Sequence, residues 1–461
     1  MDVTPRHRST IDPGLIPAAL WTRAYLRRCA ANAGSTELTI ALRRADGTAS
    51  LFRTQVLPRG VDDTATSLHV ERTVKFLLWS RGGSEILLCG PEADFFCSGL
   101  RTDYAQSGMR AFDADFFRKV FEAPLSFRSV PPSDLPIASA SHLPLGRHLD
   151  GCRIGFDLGG SDRKCAALID GQVVFSEEVK WDPYFQSDPG YHLAGIRHSL
   201  DLAARHLPRV DAIGGSSAGV YVNNKVRIAS LFRGVTDPAL FDSRVRDMFV
   251  DLAEQYGVPF EVLNDGDVTA LAASMSLGRN AVLGVAMGTS VAAGYVDRAG
   301  GLTNWLSELA FVPVDYRTDA PADEWSGDRG CAVQYFSQQG VGRLLPLAGI
   351  ELPTSLKLPE QLEELQRLMA ADDPRARLVY EAIGIALGYA IAHFATFYEM
   401  SCLLIMGRVT SGQGGDVIIE HAEAVLRDEF PELRIDLVVP SEKDKRHGQA
   451  VAAASLPALR R

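Results

Sequence analysis

Cysteine lacks any pairing pattern in this chain. Seven residues (Cys29, Cys89, Cys97, Cys152, Cys165, Cys331 and Cys402) are scattered over 461 positions, odd in number and never spaced as CxxC. That argues against a disulfide framework or a thiolate metal cluster and fits buried thiols in a reducing compartment. No apolar run reaches the roughly 18 residues of a membrane span, and no basic n-region with an apolar h-region opens the sequence, so a cytoplasmic protein is expected. Clusters of Lys and Arg are missing too. The net charge is -10, with the acidic surplus after residue 150, and a surface of that sign repels phosphate backbones. Neither nucleic acid nor membrane is an expected partner.

What is present is the composition of a globular protein: 46% hydrophobic and 23% charged residues. The length favours two or three domains. A helix is expected near Pro17 to Ala31, and TELTIALRRADGTASLFRTQV alternates around an Ala-Asp-Gly turn as a hairpin does. VKFLLWS and EILLCG read as further strands, giving an α+β module over residues 1–125. Residues 126–150, rich in Pro and Ser, read as a linker. From residue 151 the pattern is mixed α/β: strands CRIGFDL, KCAALID and GQVVFSEEV, a helix around His192 to His206, the strand VDAIGGSSAG, a helix over Asp242 to Tyr256, the strand FEVLND, a helix from Val268 to Leu277, then strands AVLGVAM and VAAGYV. The last third reads as helices at Leu358 to Met369, Arg375 to Glu399 and Asp416 to Asp428, with the strand CLLIMG among them.

Four segments share one design, an apolar strand running into a small-residue turn with polar side chains. They are Asp157-Leu158-Gly159-Gly160-Ser161, Asn264-Asp265, Met287-Gly288-Thr289 and Ile405-Met406-Gly407. Such turns suit phosphate, because oxygens come closest where there is no Cβ and where N–H and hydroxyl groups point inward. Each also has a plainer explanation: Asn264 or Asp265 as a helix cap, Asp157 as a turn residue, the glycines as turn formers.

The order of these segments resembles the ROK sugar kinases of the actin/hexokinase/heat-shock ATPase superfamily, over roughly Arg153 to Leu456. The family's first phosphate loop, approximately D-[IL]-G-G-[TS]-K, appears here with the lysine displaced to Lys164. Ser307-Glu308-Leu309-Ala310-Phe311 resembles G-E-[IL]-G-H, and Gly330, Cys331, Tyr335 and Ser337 fall in register with G-C-L-E-x-Y-x-S-G. The resemblance implies a two-lobed actin/hexokinase-like (ribonuclease H-like) fold carrying an extra N-terminal α+β module, with a first lobe over 151–265 and a second over 266–461.

It further implies ATP- and Mg²⁺-dependent phosphorylation of a sugar hydroxyl. Asp265 would be the general base, Asn264 and Glu308 would bind sugar, and Asp157 would hold Mg²⁺ through water. Gly159, Gly160, Ser161, Gly288 and Thr289 would cradle phosphates, and Gly407 would admit the adenosine. Many members carry zinc on the motif histidine and three cysteines; here Phe311 replaces the histidine and Cys331 stands alone, so no zinc is expected. Expected partners are a sugar and ATP, with a homodimer left open. Val291-Ala292-Ala293, Gly407-Arg408-Val409 and the region from Ala229 to Val235, which lacks the family's sugar-loop asparagine, depart from the pattern. They motivate an alternative, a catalytically retired sugar-sensing or regulatory protein. A nucleotide hydrolase is a third reading, disfavoured by Glu308. None of the histidines sits in a pattern that demands a role, and His192, His198 and His206 read as fillers.

Overall fold

The computed structural model describes residues 1–461 apart from 2, 140–144, 229, 440–441 and 460–461. By compactness the chain divides into two units. Unit 1 comprises Met1–Ser141, Val285–Ala292 and Asn304–Val438; unit 2 comprises His142–Gly284, Ala293–Thr303 and Val439–Arg461. The first 141 residues thus group with the later part of the chain. Residues 140–144 of the expected linker, and Ala229 of the expected sugar loop, lie outside the described residues.

The N-terminal stretch runs α1 (Ala18–Ala30), β1 (Thr36–Arg43), β2 (Ala49–Val56), α2 (Asp63–Arg81), β3 (Glu85–Cys89), α3 (Ala93–Asp103), α4 (Ala111–Phe121) and β4 (Ser126–Ser129). β1 and β2 form the expected hairpin, and the sheet order is β2-β1-β3-β4. β4 takes up the first four residues of the expected linker because it pairs in parallel with β3 and buries Phe127. VKFLLWS is a correction: Val74–Ser80 lies in α2, not in a strand. Asp62 caps α2, its side chain accepting from the Ala65 N–H at 3.0 Å, so the helix begins eleven residues before the apolar run. Every residue from Thr73 to Ser80 is buried, so no polar face marks the helical period.

Unit 2 is built on β5 (Cys152–Leu158), β6 (Asp162–Ile169), β7 (Gln172–Lys180), β8 (Ala212–Ser217) and β11 (Phe260–Asn264). Their order is β11-β8-β5-β6-β7. β8 is parallel to both β5 and β11, and β5, β6 and β7 are antiparallel. The remaining elements are α5 (Pro189–Ala204), the hairpin β9 (Val220–Val222) and β10 (Lys225–Ile228), α6 (Pro238–Arg244), α7 (Met248–Tyr256) and α8 (Asp265–Leu277). The helix expected over Asp242 to Tyr256 is broken into α6 and α7, because the Arg246 carbonyl accepts from the Val226 N–H of β10 at 2.9 Å.

One face of the sheet presents Ile154, Phe156 and Leu158 to the main core, with Ile196, Leu200, Phe249 and Leu252. The other presents Gly155 and Gly214, where any Cβ would strike the Ala450 and Ala453 carbonyls of the C-terminal helix described next. The small residues therefore let helix backbone lie directly on the strands.

After β12 (Val282–Met287) and β13 (Val291–Val296), which contribute to both units, come α9 (Val333–Phe336), α10 (Gln338–Leu347), α11 (Leu358–Ala370), α12 (Pro374–Phe394), β14 (Cys402–Met406), α13 (Gln413–Glu429), β15 (Asp436–Val438) and α14 (Glu442–Ala454). The second four-stranded sheet has the order β13-β12-β14-β15. Among the described residues no helix is long and apolar enough to cross a membrane.

Candidate functional site

In unit 2, three strands end at one place. β5 carries Asp157, which the register sets opposite Lys164 of β6 and Ser216 of β8. The Ser216 hydroxyl donates to Asp157 Oδ1 at 2.7 Å and itself accepts from Gln449 Nε2 at 3.0 Å. Lys164 Nζ lies 3.7 Å from Asp157 Oδ2 and 3.4 Å from Asp162 Oδ1. Burial pushes the Asp157 carboxyl up to about 6, against the lowering effects of Ser216 and Lys164 and with the charge of Asp265 adding to the rise. The displaced lysine of the first loop thus returns to the aspartate by strand pairing.

The hairpin turn that follows is fixed from outside. Gly159 N–H donates to the Asp162 carbonyl at 3.0 Å, and its carbonyl accepts from the Trp181 indole at 2.8 Å. Neither Gly159 nor Gly160 has a left-handed φ. Gly160 is needed for space instead, since a Cβ there would run into the Tyr184 ring. The Ser161 hydroxyl donates to Asp162 Oδ2 at 2.9 Å.

Asn264 closes β11 and caps α8, and Asp265 is the helix's first residue. Asn264 Oδ1 accepts from the Gly266 N–H at 2.7 Å while its Nδ2 donates to the Gly219 carbonyl at 2.7 Å. The capping alternative therefore holds for Asn264, and its amide also ties β11 to the turn before β9. Asp265, half-buried, accepts only a local bond from Gly266 N–H at 3.0 Å. Among the described residues no cation pairs with it, and burial raises its carboxyl above the usual range. A carboxylate at a helix N-terminus that is desolvated yet unpaired can take up a proton readily. Tyr221, hydroxyl to hydroxyl with Ser217 at 2.6 Å, has its phenol raised first by burial and also by the Asp265 charge. Ser216, Ser217, Tyr221, Trp181 and Tyr184 were not singled out from the sequence. The paired serines ending VDAIGGSSAG were the one available signal.

In unit 1, Gly288 and Thr289 follow β12, and Thr289 is exposed. Both backbone groups of Gly288 are engaged: its N–H donates to the Ser290 carbonyl and its carbonyl accepts from Gln338 N–H, each at 2.9 Å. Gly407, 119 positions later, is pressed against this loop. Its φ is +102 and ψ 167, and a Cβ would stand 2.6 Å from the Met287 nitrogen and nearer still to the carbonyl. Unit 1 therefore brings the second loop and the Gly407 turn into contact. Beyond that turn, α13 starts at an uncapped Gly412 with φ +72. Its first residues, with Gln366, Met369, Ala370 and Tyr380, line a cavity of about 490 Å³. The Tyr380 hydroxyl is buried with no hydrogen-bond partner among the described residues, and its ring fills the space that a side chain at Gly414 would need. Arg408, where the family motif has glycine, pairs with Glu363 at 2.8 Å.

Glu308 is half-buried, and its N–H donates to the Trp79 carbonyl at 3.0 Å. Phe311, at the place of the motif histidine, stacks on Trp79 with centroids 4.4 Å apart. Cys331 is buried with its Sγ 3.5 Å from Asp328. Among the described residues there is no cluster of three or more His, Cys, Asp or Glu able to hold a metal. Of the histidines, His192 is buried, its Nε2 within 3.0 Å of the Pro183 carbonyl and 3.2 Å of Leu231's.

The ROK family model matches residues 153–456. Among solved structures the chain is similar to a ROK hexokinase from Thermus thermophilus, at 18% identity over 66% of this chain and 97% of that one, with a TM-score of 0.53. It is also similar to a ROK family transcriptional regulator, a homologue of the E. coli MLC protein, at 18% identity over 67% and 79% of the two chains, TM-score 0.50. By sequence, none of the curated proteins is a match. The likenesses carry the actin/hexokinase-like fold. With strand-end aspartate, helix-start aspartate and small-residue loops falling in the matched stretch and in the expected order, the chain belongs to the ROK family.

Proposed function

We propose that this chain is a kinase that moves the γ-phosphoryl group of ATP to a hydroxyl of a sugar or sugar-like compound. The observation that carries the reading is Asp265, a desolvated carboxylate with no cationic partner among the described residues, one residue past the end of a strand beside the Asp157 strand's parallel neighbour. Phosphoryl transfer asks little covalent chemistry of the protein, so a positioned base and charge on the phosphates cover most of the need.

Asp265 accepts the proton of the attacking hydroxyl as the new O–P bond forms and the bond from the γ-phosphorus to the bridging oxygen breaks, releasing ADP. Asn264, its amide fixed at both ends, orients the sugar beside the base, and Glu308 accepts from sugar hydroxyls. Gly159, Gly160, Ser161, Gly288 and Thr289 meet phosphate oxygens, Thr289 through its exposed hydroxyl. Gly407 and the cavity at Gly412–Gly414 accept the nucleobase end. Asp157 fits Mg²⁺ held through water: it is one buried carboxylate anchored by Ser216, and among the described residues there is no all-protein cage, which is how that ion is held when phosphates supply its other ligands. Bound there, the ion neutralises charge developing on the phosphates.

A regulatory, non-catalytic reading has its own support in Arg408, which replaces a turn glycine and is held on Glu363. The deciding experiment is ATP consumption by the purified chain with Mg²⁺ over a panel of hexoses, amino sugars, pentoses and polyols, alongside Asp265→Asn. Sugar-dependent turnover that falls 10²–10⁴-fold in a folded variant supports the kinase. Turnover retained by the variant removes Asp265 from its role, and no turnover with any sugar favours the regulator.

A further inference from the structure

The ROK match begins at Arg153, so α2 lies outside it. Yet the C-terminal turn of α2 clasps the segment that carries Glu308. The Ser307 and Glu308 N–H groups donate to the Ser80 and Trp79 carbonyls, each at 3.0 Å. These are last-turn carbonyls of a helix, which have no intrahelical donor to satisfy them. The Trp79 ring, fully buried, stacks on Phe311, and the Arg81 guanidinium lies 3.4 Å from the Trp305 ring centroid. Gly82, with φ +73, turns the chain away against Leu306 and Phe121.

Two features bear on how α2 holds this part of the chain. Ser307 is buried and holds a left-handed φ of +53, an arrangement a non-glycine residue keeps only where its surroundings enforce it, and one that gathers at ligand sites. One turn back along α2, Lys75 is wholly buried, with Nζ 2.6 Å from Asp113 and 3.0 Å from Asp328. Arg110 pairs with Glu71 at 2.6 Å and also with Asp328. Burial alone would raise Asp328, but Lys75, Arg110 and Arg72 outweigh it and hold its carboxyl far below the usual range. α2 is thereby locked at a second point to the loop leading into Cys331.

We propose that α2 is part of the sugar site: through Trp79 it is the element that positions Glu308, so that the N-terminal stretch sets sugar affinity without touching sugar. The inference rests on reading Glu308 as a sugar ligand. Trp79 is accordingly a positioning residue.

The test uses the full chain with Trp79→Leu, Trp79→Phe and Glu308→Gln. Hydrogen exchange is followed over peptides covering 303–312, and binding is measured by calorimetry for ATP with Mg²⁺ and for glucose, mannose, N-acetylglucosamine, N-acetylmannosamine, xylose and sorbitol. Trp79→Leu is expected to speed exchange in 303–312 at least tenfold while unit 2 peptides keep their rates. It should weaken sugar binding about tenfold, leave ATP binding unchanged, and be rescued by Trp79→Phe, which keeps a ring. A merely structural tryptophan lowers the folded fraction and moves both ligands alike or neither. If Glu308→Gln weakens sugar binding but Trp79→Leu leaves exchange and sugar affinity as they were, the role of α2 is wrong and the Glu308 reading stands. If Glu308→Gln changes nothing, or no sugar binds the unaltered chain, the Glu308 reading fails and the positioning role falls with it.

Discussion

Replacing Gly407 by alanine puts a methyl group where the backbone of Met287 already stands. The residue has φ +102 and ψ 167, a region essentially reserved for glycine, and the conformational cost alone is about 1–3 kcal/mol. The added Cβ must also displace Met287 backbone at 2.6 Å or less, a further ~1–3 kcal/mol when a packed interior is forced apart. Roughly 3 kcal/mol of destabilisation is therefore expected. With a denaturant slope near 3 kcal/mol per molar, this moves the urea midpoint down by about 1 M. Four of the five tryptophans (Trp21, Trp79, Trp305 and Trp325) lie in unit 1, so tryptophan fluorescence reports chiefly on the unit that holds the contact. Gly288→Ala is the matched control. Its φ is not left-handed, and the nearest atom to a Cβ is the Ser290 carbonyl oxygen at 3.8 Å. Its stability should stay within about 0.5 kcal/mol, while ATP affinity falls about tenfold because phosphate can no longer approach the loop. Unchanged stability in Gly407→Ala would refute the close approach of the two turns. Lost stability with unchanged ATP binding in Gly288→Ala would make Gly288 a packing residue only.

Three more outcomes follow from buried charge. Asp157 titrates near 6 because burial disfavours its anion, so the ionised fraction falls from about nine-tenths at pH 7 to about a tenth at pH 5; Mg²⁺-dependent turnover should decline through that range, and Ser216→Ala, which removes a bond to the anion, should move the midpoint upward in a pH–rate profile. His69 and His393 are buried, and burial lowers each to about 3. Below the unfolded value near 6.5 the unfolded chain takes up protons that the fold refuses, so stability is full above pH 6.5 and drops by roughly 2 kcal/mol per histidine by pH 5. Urea titrations at pH 8 and pH 5 check this, with His393→Phe expected to halve the loss. Finally, Lys75→Met leaves Asp113 and Asp328 without their shared cation and should cost about 3–5 kcal/mol, far more than Arg118→Met, whose pair with Asp115 is exposed.

Much of this protein was legible because the signals were local. Asp157 sits one residue before the end of its strand, Asn264 sits where a cap belongs, and the hairpin of β1 and β2 announces itself by alternation around Ala-Asp-Gly. Such features depend on bonds between residues a few positions apart, which chain order specifies directly. The order of the four turns likewise located the ROK stretch. VKFLLWS was illegible for the opposite reason: this part of α2, from Thr73 to Ser80, is buried throughout, and a helical stretch without a wet face carries no period to read.

The site's chemistry required the fold. Lys164 reaches Asp157 through antiparallel pairing and Ser216 through parallel pairing from 59 positions away, and the Asp157 and Asp265 acidities come from burial that no local motif encodes. Gly160 answers to Tyr184, and Gly407 to Met287. The contact of α2 with Glu308 spans more than two hundred positions and joins residues outside the family match to residues within it. Chain order settles which groups are available and what short-range structure they start; desolvation and close packing, which arise only when distant segments share one interior, set their acidity and their orientation.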